Sequence, residues 1–541
     1  MKFAAGSQKF SVIAMAYRMV QADDVQAIVK TGFGSLKGAA YLLLRVIDPV
    51  AARIWLRAQS PASAADIGAR SHVDETVQIA FTAPGLRALA IGKEIICRFP
   101  LEFSEGMAGN ENRSRRLGDI ADNAPDRWEW GLGDKEPHVL VILLARTLKR
   151  AATYAKAVQA SVELAGFAAL PPLLTTDMDD VEPFGFRDGI SQPSFDWDGA
   201  RQPGTAADRD YTNEIALGEL LLGHRNEYGL FTERPLVAPG AKNPHLLPEA
   251  WEGGGRRDLG LNGTYLVYRQ LEQDVRGFWT WVAEEAARAR VSSDDLAEAM
   301  VGRRLDGQPL QDLLIRAIPG IDAKDSAWNG FTFDTDPDGL SCPIGAHIRR
   351  ANPRTGDLPG GRQGPIDTLL AMLGLGGCPR PGAISSALPW PQNHTVWPGG
   401  APEDDAIASA RFHRILRRSR EYGTRITREQ ALDPNSPHPK AGLHFICLNA
   451  NIARQFEFVQ GAWMASATFG ALSGEQDPLL GNREPFPRPP VNCHEHATNG
   501  FTRPGAEPTR RRSTGLPRFV TVRGGAYFFL PGLRAFNWIA S

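Results

Sequence analysis

The chain has 541 residues, 43% hydrophobic and 22% charged, proportions that allow a full buried core. Lys plus Arg number 60 against 61 for Asp plus Glu, and the resulting net charge of −1 excludes a global electrostatic grip on nucleic acid or anionic membrane. The most continuous apolar run, Val139 to Ala145, is far short of the roughly 20 residues that cross a bilayer.

In chain order, Met1 to Val20 shows neither a twin arginine nor a sustained apolar stretch before a small-residue cleavage site, so a cytoplasmic location is expected. Tyr41 to Arg45 reads as a strand, followed by Asp48 as a helix cap, Pro49 at the first helical position and Ala51, Ile54 and Trp55 at helical spacing. Val77 to Phe81 and Val139 to Leu144 read as strands, and Ala145 to Leu164 as a helix. Tyr265 to Arg269 repeats the first strand pattern, and Val275, Phe278, Trp279 and Val282 then recur at helical spacing. Leu296 to Leu305 reads as a helix with Ser292 and Asp295 as a capping box. Thr355 to Asp405, dense in Gly and Pro, reads as a long insertion. Further strands are expected at Leu443 to Leu448, Phe456 to Val459 and Ala526 to Leu530, and the Arg510-Arg511-Arg512 run as solvated surface. Strands and helices interleave irregularly, which predicts α+β rather than a doubly wound sheet. The repeated strand–helix pattern suggests two modules of related design.

Five cysteines, Cys97, Cys342, Cys378, Cys447 and Cys493, form no CxxC pair, so neither a disulfide framework nor a thiolate zinc site is expected. Asp334-Thr335-Asp336-Pro337-Asp338-Gly339 begins like a calcium loop, yet Gly345 stands where that loop needs a bidentate Glu. Cys493-His494-Glu495-His496 has no second ligand pair at finger spacing. Asp177 to Asp180 reads as a solvated acidic turn.

Two other segments carry chemistry. In Glu182-Pro183-Phe184-Gly185-Phe186-Arg187-Asp188-Gly189-Ile190-Ser191-Gln192-Pro193, glycines on both sides of Asp188 give the backbone freedom to approach a ligand closely. A helix cap or Asx-turn would use the same residues. In Cys342-Pro343-Ile344-Gly345-Ala346-His347-Ile348-Arg349-Arg350-Ala351-Asn352-Pro353-Arg354, one His stands among arginines suited to the carboxylates of an anionic cofactor. That His could ligate a metal, pair with a carboxylate or be satisfied in the core.

Together these segments resemble the dye-decolourising peroxidase family of haem enzymes, in its long-chain form. The family's GxxDG is present as Gly185, Asp188 and Gly189, and its proximal HxRxxNPR-like run as His347, Arg349, Asn352, Pro353 and Arg354. Its distal arginine run is matched from Ile415 to Gly423, which places that arginine at Arg417, with Arg414, Arg418 and Arg420 as neighbours and Glu421 where the family has proline. The proximal carboxylate falls in Glu475 to Gly481, at Asp477 in preference to Glu475.

The resemblance implies two ferredoxin-like α+β modules, residues 30–255 and 256–541, with antiparallel sheets sandwiching haem b, as in the dimeric α+β barrel-like superfamily. His347 would be the axial iron ligand and Asp477 its partner, with Gly185, Gly189 and Arg349 at the cofactor and Asp188 and Arg417 as catalytic residues. The implied activity is reduction of hydrogen peroxide with one-electron oxidation of dyes, phenolics or other small organic donors through a ferryl intermediate, with an acidic optimum. The alternatives are a haem-remodelling enzyme, releasing iron or decarboxylating propionates, and a non-catalytic haem carrier or sensor.

Overall fold

The computed structural model describes residues 20–69, 74–200, 213–310, 328–333, 336–354, 410–483, 498–504 and 510–541. The expected insertion, the Cys493 to His496 cluster, Cys378 and almost all of the N-terminal segment lie outside them.

A ten-stranded antiparallel sheet organises the chain. Its strands are β1 (Gly38–Val46), β2 (Glu75–Phe81), β3 (Val139–Ala145), β4 (Phe167–Ala169), β5 (Leu173–Leu174), β6 (Thr264–Gln273), β7 (Leu416–Arg417), β8 (Arg420–Gly423), β9 (Ala441–Asn449) and β10 (Val520–Leu530). The spatial order is β7-β9-β6-β10-β2-β3-β1-β4, with β8 also on β9 and β5 also on β1. Strands from the two halves of the chain meet at β10 and β2 through the pair Phe529–Phe81. Both faces of the central strands are buried, which is why they read as continuous apolar runs rather than alternating ones.

Among the helices are α1 (Pro49–Arg57), α2 (Leu148–Glu163), α3 (Val275–Ala289), α4 (Ser293–Val301), α5 (His347–Ala351) and α6 (Leu533–Ala540). Asp48 and Asp274 cap α1 and α3 after β1 and β6, so both strand–helix units form as expected. The α3 stripe of Val275, Phe278, Trp279 and Val282 packs in one core with Leu42 and Leu44 of β1 and Val267 and Leu271 of β6. Alternate residues of the same strands, Tyr41, Leu43, Leu266 and Tyr268, enter a second core on the opposite face. Among the described residues no helix is long and apolar enough to cross a membrane.

Four boundaries differ from the sequence reading. Ala145 ends β3, paired with Gly38 and Glu75, and Thr147 caps α2 instead. Helix α4 stops at Val301 because Gly302 adopts φ +93°, releasing Arg303 to Leu305 from the helix. Phe456 to Val459 is not a strand: it spans two π-helical turns, Ala453–Glu457 and Val459–Met464, with Phe456 and Val459 lining one cavity. Finally, Arg511–Ser513 pairs as a short strand with Phe501–Arg503; Arg511 and Arg512 are exposed, as expected, and Arg503 is buried.

Candidate active site

A cavity with about 1480 Å³ of empty space, mouth included, lies against the C-terminal half of the sheet. Its wall is mainly apolar, with Leu271, Leu443, Phe445 and Val520 from the sheet and Phe456, Val459 and Met464 from the π-helical turns.

His347 opens α5, after Ala346 in extended conformation, and faces this cavity. Its Nδ1 lies 3.0 Å from Oδ2 of Asp477, a fully buried carboxylate whose Oδ1 accepts the backbone N–H groups of Leu479 and Leu480 at 2.9 and 2.7 Å. Burial acts to raise the Asp477 pKa, but His347 and these donors outweigh it and hold the carboxyl below its ordinary value. An Asp477 acceptor fixes the ring so that Nε2 is the nitrogen left for a ligand. Glu475, the alternative carboxylate, is turned away, taking the Thr502 backbone N–H at 2.8 Å and the Thr502 hydroxyl.

Asp188 and Arg417 line the same cavity and meet each other, Arg417 Nη1 donating to Asp188 Oδ1 at 2.8 Å. Arg417 sits on the short edge strand β7, and its backbone N–H is fixed by Gln192 Oε1 at 3.0 Å. The neighbouring arginines are committed elsewhere. Arg418 donates to the carbonyls of Ile28 and Val29, Arg420 to those of Leu36 and Lys37, and Arg414 to Asn213. Burial pushes the Asp188 pKa up, yet Arg417 and the Gly189 backbone outweigh it, leaving the carboxylate below its ordinary value.

Gly185 and Gly189 have φ of +104° and +80°, conformations that side-chain-bearing residues rarely adopt, so their contribution is to bend the loop that presents Asp188. Sequence reasoning missed the brace beneath that loop. Glu182 accepts the backbone N–H groups of Phe184 and Phe186 at 3.1 and 3.0 Å and a 2.6 Å bond from Gln273. Its burial pushes the carboxyl up to about 7. The only sequence signal was an acid placed just ahead of a glycine turn.

Arg349 is a correction. Its guanidinium does not reach the cavity but donates to the Cys342 carbonyl at 2.9 Å and the Asp336 carbonyl at 2.9 Å, stacked 4.4 Å from the Phe333 ring centre. The Asp336 carboxylate is itself filled by the N–H groups of Leu340, Ser341 and Cys342, so it caps a turn. Arg303, 4% exposed and expected from the sequence to lie inside a helix, is instead one of the cations on the cavity wall, with Arg187, Arg414 and Arg417. Arg303 Nη2 and both side-chain polar atoms of Asn352 are buried in that wall without a hydrogen-bond partner among the described residues. Orphaned polar atoms on an apolar wall fit a large flat ligand with a polar periphery.

No family model matches the chain. It is 27% identical over 488 residues to a dye-decolorizing peroxidase of Mycetinis scorodonius, covering 86% of this chain and 76% of the relative. It is 28% identical over 442 residues to a multifunctional dye peroxidase of an Amycolatopsis species, covering 76% and 73%. Among solved structures, the DyP-type peroxidase of an Anabaena species matches with a TM-score of 0.65 at 21% identity, covering 96% of this chain and 94% of that one. A fungal DyP-type peroxidase from Auricularia auricula-judae matches with a TM-score of 0.64 at 21% identity, covering 97% and 100%. Sequence and fold likeness each run over most of the chain and agree: along most of its length the chain is similar to dye-decolourising peroxidases.

Proposed function

We propose that this protein is a haem b peroxidase that reduces hydrogen peroxide and oxidises small organic donors such as dyes and phenols. The observation that carries the reading is the Asp188–Arg417 pair facing the same cavity as His347, whose ring Asp477 holds from behind the wall. A haem carrier would need only the second pair. A solved dye-decolorizing peroxidase in complex with 2,6-dimethoxyphenol has the same fold, which supports phenols as donors.

When bound, haem supplies a redox-active iron that exchanges electrons with peroxide and donor. His347 Nε2 is the nitrogen placed to hold that iron, and Asp477 takes the Nδ1 proton in a hydrogen bond, which orients the ring and raises its basicity. Arg303 and Asn352 are placed to meet polar groups on the cofactor's edge. Asp188, charged at neutral pH, takes a proton from one peroxide oxygen and returns it to the other, so that water can leave. Arg417 keeps a fixed positive charge beside the anion that develops on the oxygen. The apolar wall excludes water that would otherwise screen these charges.

The test is peroxide-dependent dye oxidation by the haem-loaded chain and by Asp188→Asn. The variant is expected to keep its Soret band and lose about 10²–10⁴-fold in rate. Parent-like turnover by the variant would overturn the assignment, and porphyrin breakdown in place of repeated turnover would favour haem remodelling.

A further inference from the structure

On the far side of the sheet from the cavity, Tyr268 of β6 and His444 of β9 are 0% and 1% exposed, and the Tyr268 hydroxyl lies 2.9 Å from His444 Nδ1. The other ring nitrogen, Nε2, faces the Leu174 carbonyl at 3.3 Å. A carbonyl only accepts, so Nε2 carries the hydrogen and Nδ1 is the bare acceptor of the Tyr268 hydroxyl proton. Burial holds the His444 pKa down at about 3, so the ring is neutral and free to take that proton.

Aromatic rings surround the pair. Trp130 and Tyr41 lie 5.0 and 5.2 Å from the Tyr268 ring centre, and Tyr422 lies 4.6 Å from that of His444. The residues flanking His444 in β9, Leu443 and Phe445, point the other way and line the cavity. The pair therefore sits one sheet thickness behind the cavity wall. Oxidation turns a phenol into a strong acid, and in a site without water the proton leaves only to a base already bonded to it. Of two other buried tyrosines, Tyr265 has no hydroxyl partner among the described residues, and Tyr527 donates to Glu457, a carboxylate also ion-paired with Arg113 at 2.8 Å, so its acceptor is a charged group and not a neutral ring.

We propose that Tyr268 and His444 form a second redox site, in which one electron leaves the Tyr268 ring while its hydroxyl proton crosses to His444 Nδ1. The inference rests on the peroxidase reading, which supplies the oxidant. Reduction of peroxide to two waters takes two electrons; when no organic donor is present, Tyr268 provides one and the bound haem would supply the other. A neutral phenoxyl radical and an imidazolium remain. A phenol acting later as a one-electron donor refills the ring, and the proton returns from Nδ1 to the tyrosine oxygen. The protein thereby keeps an oxidising equivalent away from the cavity.

The test is freeze-quench electron paramagnetic resonance on the full chain, in two arms. In one, the haem-loaded protein receives hydrogen peroxide without donor; in the other, the haem-free protein is oxidised by azidyl radicals. A phenoxyl signal is expected in both, falling about tenfold or more in Tyr268→Phe and becoming shorter-lived by a similar factor in His444→Gln, as loss of a buried hydrogen-bonded base requires. Far-ultraviolet circular dichroism confirms that both variants fold. An undiminished signal in Tyr268→Phe, or a lifetime unchanged in His444→Gln, overturns the proposal. A silent peroxide arm beside a Tyr268-dependent azidyl arm supports the redox pair and overturns the peroxidase reading instead.

Discussion

Asp188 is pulled in two directions, and the direction that wins sets the pH behaviour of the site. Burial disfavours its charge, but Arg417 at 2.8 Å reverses the balance and leaves the pKa below the ordinary value of about 3.9. A base held low stays ionised in acid, so peroxide reduction should persist well below pH 6, where a histidine base would be protonated. Replacing Arg417 with Leu removes the counter-charge and raises the Asp188 pKa. The acid limb of the kcat/KM profile should then move to higher pH, and an unmoved limb would show that Asp188 is not the titrating base. On the opposite side, Asp477→Asn should cost about 10–100-fold in haem retention or activity, as loss of a ligand-orienting carboxylate does. Glu475→Gln should leave haem retention unchanged, because that carboxylate faces Thr502. Transfer of haem to an acceptor globin, followed by absorption, measures both.

The elements that present these residues were legible to different degrees, for physical reasons. Buried strands such as β3 and β6 announce themselves as apolar runs, and Asp48-Pro49 and Ser292 mark helix starts by side chains that accept backbone N–H groups. Phe456 to Val459 was misread because Phe456-Glu457-Phe458 alternates as a strand does, and so short a segment fits either period. Its first and last residues share one face only when the chain coils, and both line the cavity. His347, Asp188, Arg417 and Asp477 were legible through short motifs, whereas Arg349 was not. Its spacing says nothing about which way the guanidinium turns, and the Cys342 and Asp336 carbonyls claim it. Arg303 and Glu182 left almost no local signal, since one is exposed to the cavity by a helix stop and the other acts on backbone groups. At Gly442 the fold leaves no room: an added Cβ would stand 1.9 Å from the Leu271 carbonyl oxygen. Gly442→Ala should force β9 away from β6 where Leu443 and Leu271 line the cavity, costing about 1–3 kcal/mol. Urea unfolding of the haem-free chain reads this as a lower midpoint.

At the scale of the whole molecule, the ten-stranded sheet is a continuous frame, but the cavity side chains and the carboxylate that supports His347 come from segments far apart in sequence. Asp188, His347, Arg417 and Asp477 are held by a glycine-bent loop, a helix start, an edge strand and a turn beneath the π-helical segment. A ligand that touches several of these segments ties them together, so haem binding should stabilise the fold by about 2.7 kcal/mol at a hundredfold excess over Kd. Differential scanning calorimetry with and without haemin should show the unfolding temperature rising with haemin concentration. The central claim is that His347 holds a haem beneath Asp188 and Arg417, and a haemin titration of the parent chain and His347→Ala, followed in the Soret region, tests it most directly. The account predicts a saturable Soret band at one haem per parent chain, shifted by peroxide, and a weakened, displaced band in the variant. A parent chain that stays colourless, or a variant with the parent's spectrum and affinity, would contradict it.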